Sequence, residues 1–505
     1  MNAFVSGESD MCFAGLADIL SKMGGTADLS VPLLCWIPTL QWGGFLFSNW
    51  QKNSNRTVKV RAKVMARREI STYIWNPEVE CMDPEQMKAL QGERLVKCVS
   101  YMYERVPYYA AKMKAAGIEP GDIHGLDDLY KLPFTDKFDF RDNYPFGTLA
   151  APREDIVRFH ASSGTTGRMK VVGYTRNDIE LWTECLCRSM ARAGVEQGDM
   201  VHIAYGYGLF TGGLGPHYAC DPLGATAIPV SGGNTPRQIQ ILREWQPSVI
   251  MCTPSYMLHI ADEMDAMGVG KDEVHLKSGI FGAEPWTKEM REQIEEKMGL
   301  RAFDIYGLSE ICGPGVGCSC DKSDLLHLEV DHFIPEIVDP ETGKPLGEGE
   351  LGELVFSSVT KEGTPLLRYN THDLTRLYYG KCECGRTTPR MEKVTGRADD
   401  MLIIRGVNVF PSQIEAVMLT YSEVEPHYVI IIDRVNNLDR MTVKVEMAAS
   451  FFSDSIKDIE RIERRMAEDI ASITGIHAKI TLCEPRSLPR SEGKIKRVYD
   501  QRFTT

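Results

Sequence analysis

Ala302-Phe303-Asp304-Ile305-Tyr306-Gly307-Leu308-Ser309-Glu310 runs from an apolar, strand-like segment into a tight turn that ends on a carboxylate. Upstream, Thr287 to Met298 has helical spacing, and Gly279 to Phe281 is again strand-like. The same alternation extends back through strand-like Met200 to Ala204, Ala225 to Val230 and Val249 to Cys252. Between them lie helical stretches at Asn177 to Ala193, Thr235 to Trp245 and Ser255 to Met267. Strands alternating with helices predict an α/β domain whose sheets are covered by helices. Asp83 to Ala115 reads as one amphipathic helix, with Leu90, Leu95, Val96, Val99 and Tyr103 at mixed three and four spacing.

Downstream of Ile311 the composition turns to Gly, Pro and Glu around short β-branched runs such as Leu351 to Val359, which predicts a smaller β-rich subdomain. The last hundred residues read as a separate α+β unit. Its strands are expected at Tyr428 to Asp433, Met441 to Ala448 and Ala478 to Cys483, with a helix from Ser453 to Ile473. The expected division is 1–68, a leader; 69–398, a large domain; and 399–505, a small C-terminal domain. Met65 is a candidate natural start for the chain.

The formal net charge of -13 disfavours a nucleic-acid partner, and no Lys/Arg cluster offsets it. Fourteen cysteines in 505 residues do not form a disulfide scaffold, so a reducing, cytoplasmic setting is expected. The leader lacks a basic start, its first lysine being Lys22. Its apolar stretch from Val31 to Trp50 is broken by Pro32, Pro38, Gln41 and Gly43-Gly44, short of the roughly 20 apolar residues of a spanning helix. No membrane association is expected. The sequence does not set the oligomeric state, and a homodimer is compatible with it.

Ser162-Ser163-Gly164-Thr165-Thr166-Gly167-Arg168-Met169-Lys170 places hydroxyls between glycines and ends in two cations. Glycines let backbone amides turn toward an anion, and hydroxyls and cations add donors, as a triphosphate requires. Gly-Lys-Ser/Thr is missing, which disfavours a P-loop ATPase or kinase. By itself the segment reads equally as a surface loop. Glu310 is well placed for a magnesium ligand, and Asp373 in Tyr369-Asn370-Thr371-His372-Asp373 for accepting from two ribose hydroxyls.

Together with Gly396-Arg397-Ala398-Asp399-Asp400 and Arg490-Ser491-Glu492-Gly493-Lys494, these motifs resemble the adenylate-forming superfamily of acyl-CoA synthetases, adenylation domains and luciferases. Tyr205-Gly206-Tyr207-Gly208-Leu209-Phe210 and Ile403-Ile404-Arg405-Gly406-Val407-Asn408 are similar to the phenylacetate-CoA ligase branch. The resemblance covers about Tyr73 to Asp500. It implies a large adenylate-forming domain with a β-rich subdomain and a mobile C-terminal domain. The implied reaction joins an aryl acid to CoA through an acyl-adenylate, using ATP with magnesium and CoA as co-substrate.

By this resemblance Ser163, Gly164, Thr165, Thr166, Gly167, Arg168 and Lys170 hold phosphates. Gly282, Ala283, Glu284, Pro285 and Tyr306 frame the adenine, Gly307 belongs to the same nucleotide site, and Asp373 with Arg397 takes the ribose. Lys494, Glu310 and Thr166 form the implied catalytic set, with Glu310 on magnesium. Tyr205, Phe210 and Ile305 match the acid pocket, Asp399 the hinge and Gly406 the CoA tunnel. Cys320, His327, Cys382 and Cys384 match a structural zinc set, with Cys318 as the alternative ligand and reduced, metal-free thiols as the other reading.

The chain departs from the family at Arg168-Met169-Lys170, where Lys-Pro is usual, and at Asn370-Thr371-His372-Asp373, where two arginines are usual; Val330 replaces a common Glu. Two alternatives stay open: adenylyl transfer to another acceptor, as in coenzyme F390 synthetase, and a nucleotide-binding protein without catalysis.

Overall fold

The strand Arg301–Leu308 lies at the centre of a nine-stranded sheet. In spatial order the sheet runs Leu377–Tyr378, Arg390–Met391, Leu326–Leu328, Gly313–Ser319, Arg301–Leu308, Ser278–Gly282, Val249–Cys252, Met200–Ile203 and Thr226–Ile228. From Arg301 to the far edge at Thr226 neighbouring strands are parallel, whereas the pairing beyond Leu308 is antiparallel. The computed structural model describes residues 69–162, 169–398, 402–404, 407–435, 438–451, 456–489 and 496–502. The expected leader, 1–68, lies outside the described residues.

The parallel strands read as continuous apolar runs because both faces are buried. Val249 and Met251 face one core with Trp182, Leu186 and Met190 of the helix Arg176–Arg192. Ile250 and Cys252 face the other, with Leu258, Ala261, Ile294 and Met298 of the helices Pro254–Ala266 and Lys288–Met298. This is the two-residue period of a strand expressed as two separate cores.

A second sheet, antiparallel, runs Phe333–Val338, Gly352–Ser358, Tyr369–Thr375 and Gly396–Arg397. It is the β-rich subdomain, and it pairs Asp373 with Arg397. The hairpin Arg158–Ser162 with Lys170–Tyr174 brackets the glycine-threonine loop.

Toward the C-terminus, Val424–Val435, Leu438–Met447, Lys479–Cys483 and Val498–Asp500 form a four-stranded sheet. Its own core joins Ile430, Ile432, Val443 and Val445 to Met466 and Ile470 of the helix Ile456–Thr474. Met466 and Ile470 are four apart, hence on one helical face.

The single helix expected from Asp83 to Ala115 is two, Pro84–Arg105 and Pro107–Ala115. Pro107 has no N–H and its ring clashes with the preceding turn, so Val106 leaves the helix and Pro107 starts the next. Asp83 caps the first helix, accepting from Glu85 N at 3.0 Å and Gln86 N at 3.3 Å. The helix Leu214–Leu223 has no counterpart in the sequence reading, because the glycines before it mask its start. Among the described residues no helix is long and apolar enough to cross a membrane.

Candidate active site

Three parts of the fold converge on the carboxyl ends of the parallel strands, where open α/β sheets commonly bind ligands. Glu310 follows Arg301–Leu308 and is 3% exposed. Lys170 Nζ forms an ion pair with Glu310 Oε1, and Ser162 Oγ donates to the same oxygen at 3.4 Å. Ser162 and Lys170 are cross-strand partners at the two ends of the glycine-threonine loop. The loop's ends and the carboxylate expected to bind magnesium therefore share one spot. Ser163, Gly164, Thr165, Thr166, Gly167 and Arg168 lie outside the described residues. Ser162 was not among the expected site residues; its signal is the hairpin register, which only pairing reveals.

Tyr306 Oη donates to Asp373 Oδ2 at 2.6 Å, and Arg397 Nε lies 3.9 Å from Asp373 Oδ1. Burial, followed by the negative charge of Asp373, pushes the Tyr306 phenol well above its usual range. The register between Gly352–Ser358 and Tyr369–Thr375 shifts beside Asp373, and His372 takes a left-handed φ of 61°. Such a bulge re-aims the next side chain. Asn370 Nδ2 donates to Glu353 Oε2, and His372 Nδ1 lies 3.2 Å from Glu353 Oε1. The two residues that replace the family's arginines are thus anchored on Glu353 and hold the bulge.

Gly282 and Gly307 sit where any larger residue would collide with backbone: an added Cβ would come within 2.1 Å of Ile305 O and 1.8 Å of Gly313 O respectively. Ala283 has a φ of 69° and, like Pro285, is exposed. Glu284 Oε1 accepts from Ser255 N at 2.8 Å, at the start of the helix Pro254–Ala266. This carboxylate orders the turn by satisfying a helix N-terminus.

Of the expected acid-pocket residues, Tyr205 and Ile305 are buried, at 7% and 3% exposure, whereas Phe210 is half-exposed. Burial pushes the Tyr205 phenol well above the usual range. Leu209 O accepts from Ala161 N at 2.9 Å and lies 3.1 Å from His160 Nδ1, which ties the Phe210 loop to the hairpin. Lys361, unmarked in the sequence, is 3% exposed with Nζ 4.2 Å from the Tyr174 ring centroid. Its ammonium has no hydrogen-bond partner among the described residues, and burial lowers its pKa. Lys494, Asp399 and Gly406 lie outside the described residues.

Cys320, His327, Cys382 and Cys384 gather at the antiparallel edge of the large sheet, with ligand atoms within 4.8 Å of one another. Cys320 Sγ is 3.9 Å from Cys382 Sγ, and Cys384 Sγ is 3.4 Å from His327 Nε2. A tetrahedron with zinc bond lengths has edges of about 3.8 Å between sulfurs and about 3.6 Å from sulfur to nitrogen, so the set fits a zinc ion. His327 Nδ1 contacts Thr388 Oγ1 at 3.0 Å, a second partner that orients the ring. Hydrogen bonds from Cys320 and then His327 hold the Cys384 thiol low, while the Cys320 thiol is raised. Cys318 instead donates to Ser189 O at 3.6 Å and stands outside the cluster.

Residues 125–360 match the AMP-binding enzyme family and residues 406–502 the AMP-binding enzyme C-terminal domain. A phenylacetate-coenzyme A ligase of Thermus thermophilus is 49% identical over 443 residues, covering 85% of this chain and 100% of its own. That of Escherichia coli is 48% identical, covering 84% and 97%. A crystal structure of 2-hydroxyisobutyryl-CoA ligase in the postadenylation state shares 28% identity at a TM-score of 0.80, covering 85% of this chain and 92% of that one. The same ligase in its thioesterification state superposes at 0.63 over the same 85%. Identity of 49% along the full length of the Thermus thermophilus ligase, together with the match to both AMP-binding domains, shows that the chain belongs to the phenylacetate-coenzyme A ligase family of AMP-binding enzymes.

Proposed function

We propose that the enzyme converts phenylacetate, or a close aryl acid, to its CoA thioester, with ATP consumed to AMP and pyrophosphate. The convergence of Ser162, Lys170 and Glu310 at the ends of the glycine-threonine loop carries this reading. In the first step a carboxylate oxygen of the acid attacks the α-phosphorus of ATP. A new P–O bond forms as the bond to pyrophosphate breaks. The CoA thiol then gives up its proton and attacks the acyl carbonyl, and AMP leaves with the C–O bonding pair.

Two anions meet in the first step, so catalysis depends on placement and charge neutralisation. Lys170 and the loop's amides and hydroxyls receive the β- and γ-phosphates. Asp373, oriented by Tyr306 and flanked by Arg397, accepts from the ribose hydroxyls, and Ala283 and Pro285 border the adenine. Glu310 would hold magnesium, which when bound neutralises phosphate charge. Lys494 bridges the carboxylate and the α-phosphate, placing a point charge where negative charge builds up. Tyr205 and Ile305 wall the acid pocket, with Phe210 at its mouth. Cys320, His327, Cys382 and Cys384 would hold zinc in a closed, structural site that takes no part in the reaction. The many buried, unpaired thiols support a cytosolic setting.

Pyrophosphate release is to be measured with phenylacetate, indole-acetate, benzoate, hydroxylated analogues and short fatty acids, with and without CoA. CoA-dependent turnover with an aryl acid is expected. Turnover that ignores CoA, or silence across the acids, overturns the proposal.

A further inference from the structure

Two adjacent carboxylates near the end of the helix Pro254–Ala266, Asp262 and Glu263, contact residues of the C-terminal domain. Asp262 Oδ2 lies 3.5 Å from His427 Nε2, in the strand Val424–Val435, while Asp262 Oδ1 is paired with Lys297 at 2.6 Å. Glu263 Oε1 lies 3.3 Å from Arg486 Nη1, and Arg486 Nη2 donates to Asp262 O at 3.2 Å. His427 is 5% exposed, and Leu419, eight residues earlier, packs against the apolar core to which the helix Pro254–Ala266 contributes. The polar contacts thus fall on two adjacent residues of one helix.

Arg486 is also tied to its own sheet. Its backbone N–H donates to Glu446 Oε2 at 3.0 Å, and Leu488 N donates to Glu446 Oε1 at 2.6 Å. On the far side of residues 490–495, Arg497 Nη1 pairs with Glu415 Oε1 at 2.9 Å, and Arg497 O accepts from Ile430 N at 2.7 Å. Arg486 and Arg497 are thus both anchored described residues, one on each side of residues 490–495 in sequence. Arg486 reaches the large domain through direct contacts with Asp262 and Glu263.

The solved states of 2-hydroxyisobutyryl-CoA ligase supply the second observation. This chain superposes at 0.80 on the postadenylation state, but at 0.63 on the thioesterification state and 0.64 on an open one. The contacts above belong to the first arrangement. They are also of a kind that can be exchanged: the Arg486 and Glu263 side chains are 54% and 33% exposed, and such pairs contribute about 1 kcal/mol or less. A junction that must open in every turnover has to be this weak.

We propose that Asp262 and Glu263 are positioning residues of the adenylation half-reaction. Through His427 and Arg486 they hold the C-terminal domain in the arrangement that forms the acyl-adenylate, and they release it for thioester formation. The proposal rests on the ligase reading above.

The test separates the half-reactions. Adenylation is followed by phenylacetate-dependent exchange between ATP and labelled pyrophosphate; thioester formation is followed from synthetic phenylacetyl-adenylate and CoA. Glu263→Arg and Arg486→Glu are each expected to slow exchange by about threefold to fivefold. Thioester formation from the adenylate should be equal to or faster than that of the unaltered enzyme. The double variant, which restores opposite charges, should recover exchange. Equal losses in both half-reactions, unchanged exchange in the single variants, or a double variant no better than either single one overturns the proposal. An unaltered enzyme lacking one half-reaction overturns the ligase reading instead, so the two failures are distinguishable.

Discussion

Tyr306 and Asp373 belong to different sheets, and the 2.6 Å hydrogen bond between them joins the strand Arg301–Leu308 of the large sheet to the strand Tyr369–Thr375 of the β-rich subdomain. Asp373 has one oxygen engaged by Tyr306, with Arg397 near the other. Tyr306→Phe removes a donor to a carboxylate, worth about 1.5–3 kcal/mol. The expected result is a KM for ATP raised by about tenfold with a smaller change in kcat. Initial rates at varied ATP check this, and an unchanged KM would show that the bond is not used in nucleotide binding.

Lys494→Ala is expected to slow pyrophosphate release by about a hundredfold or more. ATP binding, measured by calorimetry, and the melting temperature should change little, because the side chain acts where charge develops. Normal pyrophosphate release from this variant would remove Lys494 from the first step.

Protein purified without added zinc is expected to carry close to one equivalent by elemental analysis, and less than about a tenth of an equivalent rejects the site. Chelation should lower the melting temperature, and Cys384→Ser should mimic it. Cys318→Ser should leave the metal content intact, since that thiol contacts Ser189 instead.

Lys361 gives a pH-dependent prediction. Burial depresses its pKa in the folded protein, so between that value and the ordinary lysine range the unfolded chain binds more protons. The cost of the buried ammonium is present in full below the depressed value and fades as pH rises toward about 10.4, the unfolded value. Lys361→Met should stabilise the protein by about 1 kcal/mol near neutral pH, after allowing for the lost attraction to the Tyr174 ring. The advantage should shrink in denaturant titrations at rising pH. A difference that does not vary with pH would contradict this origin.

The parallel core was legible because strands buried on both faces and helices with one apolar stripe have different periods, and Met200 to Ala204 and Ser255 to Met267 show them cleanly. The break at Pro107 was missed, because apolar spacing continues on both sides of it. The zinc set shows where spacing stops being informative. Cys318 and Cys320 are equivalent in sequence, but adjacent strand residues point to opposite faces, and residues two apart separate only because the strand ends at Ser319. The supports around Asp373 were hidden for a related reason. Asn370 and His372 read as departures from the family's arginines, and their common partner Glu353 is 17 and 19 residues away in sequence. Lys361 could not be distinguished from a surface lysine until Tyr174 was seen across its path.

Cys320 and Cys382 stand 62 residues apart, and between them lies most of the antiparallel sheet, Asp373 included. A metal bound there would buckle that whole span into a closed ring, removing loop entropy from the unfolded chain much as a covalent crosslink does. The fastening sits at the rim of one sheet, while the strand it secures belongs to the other. The enzyme's grip on ribose would then depend on a clasp that never touches the nucleotide.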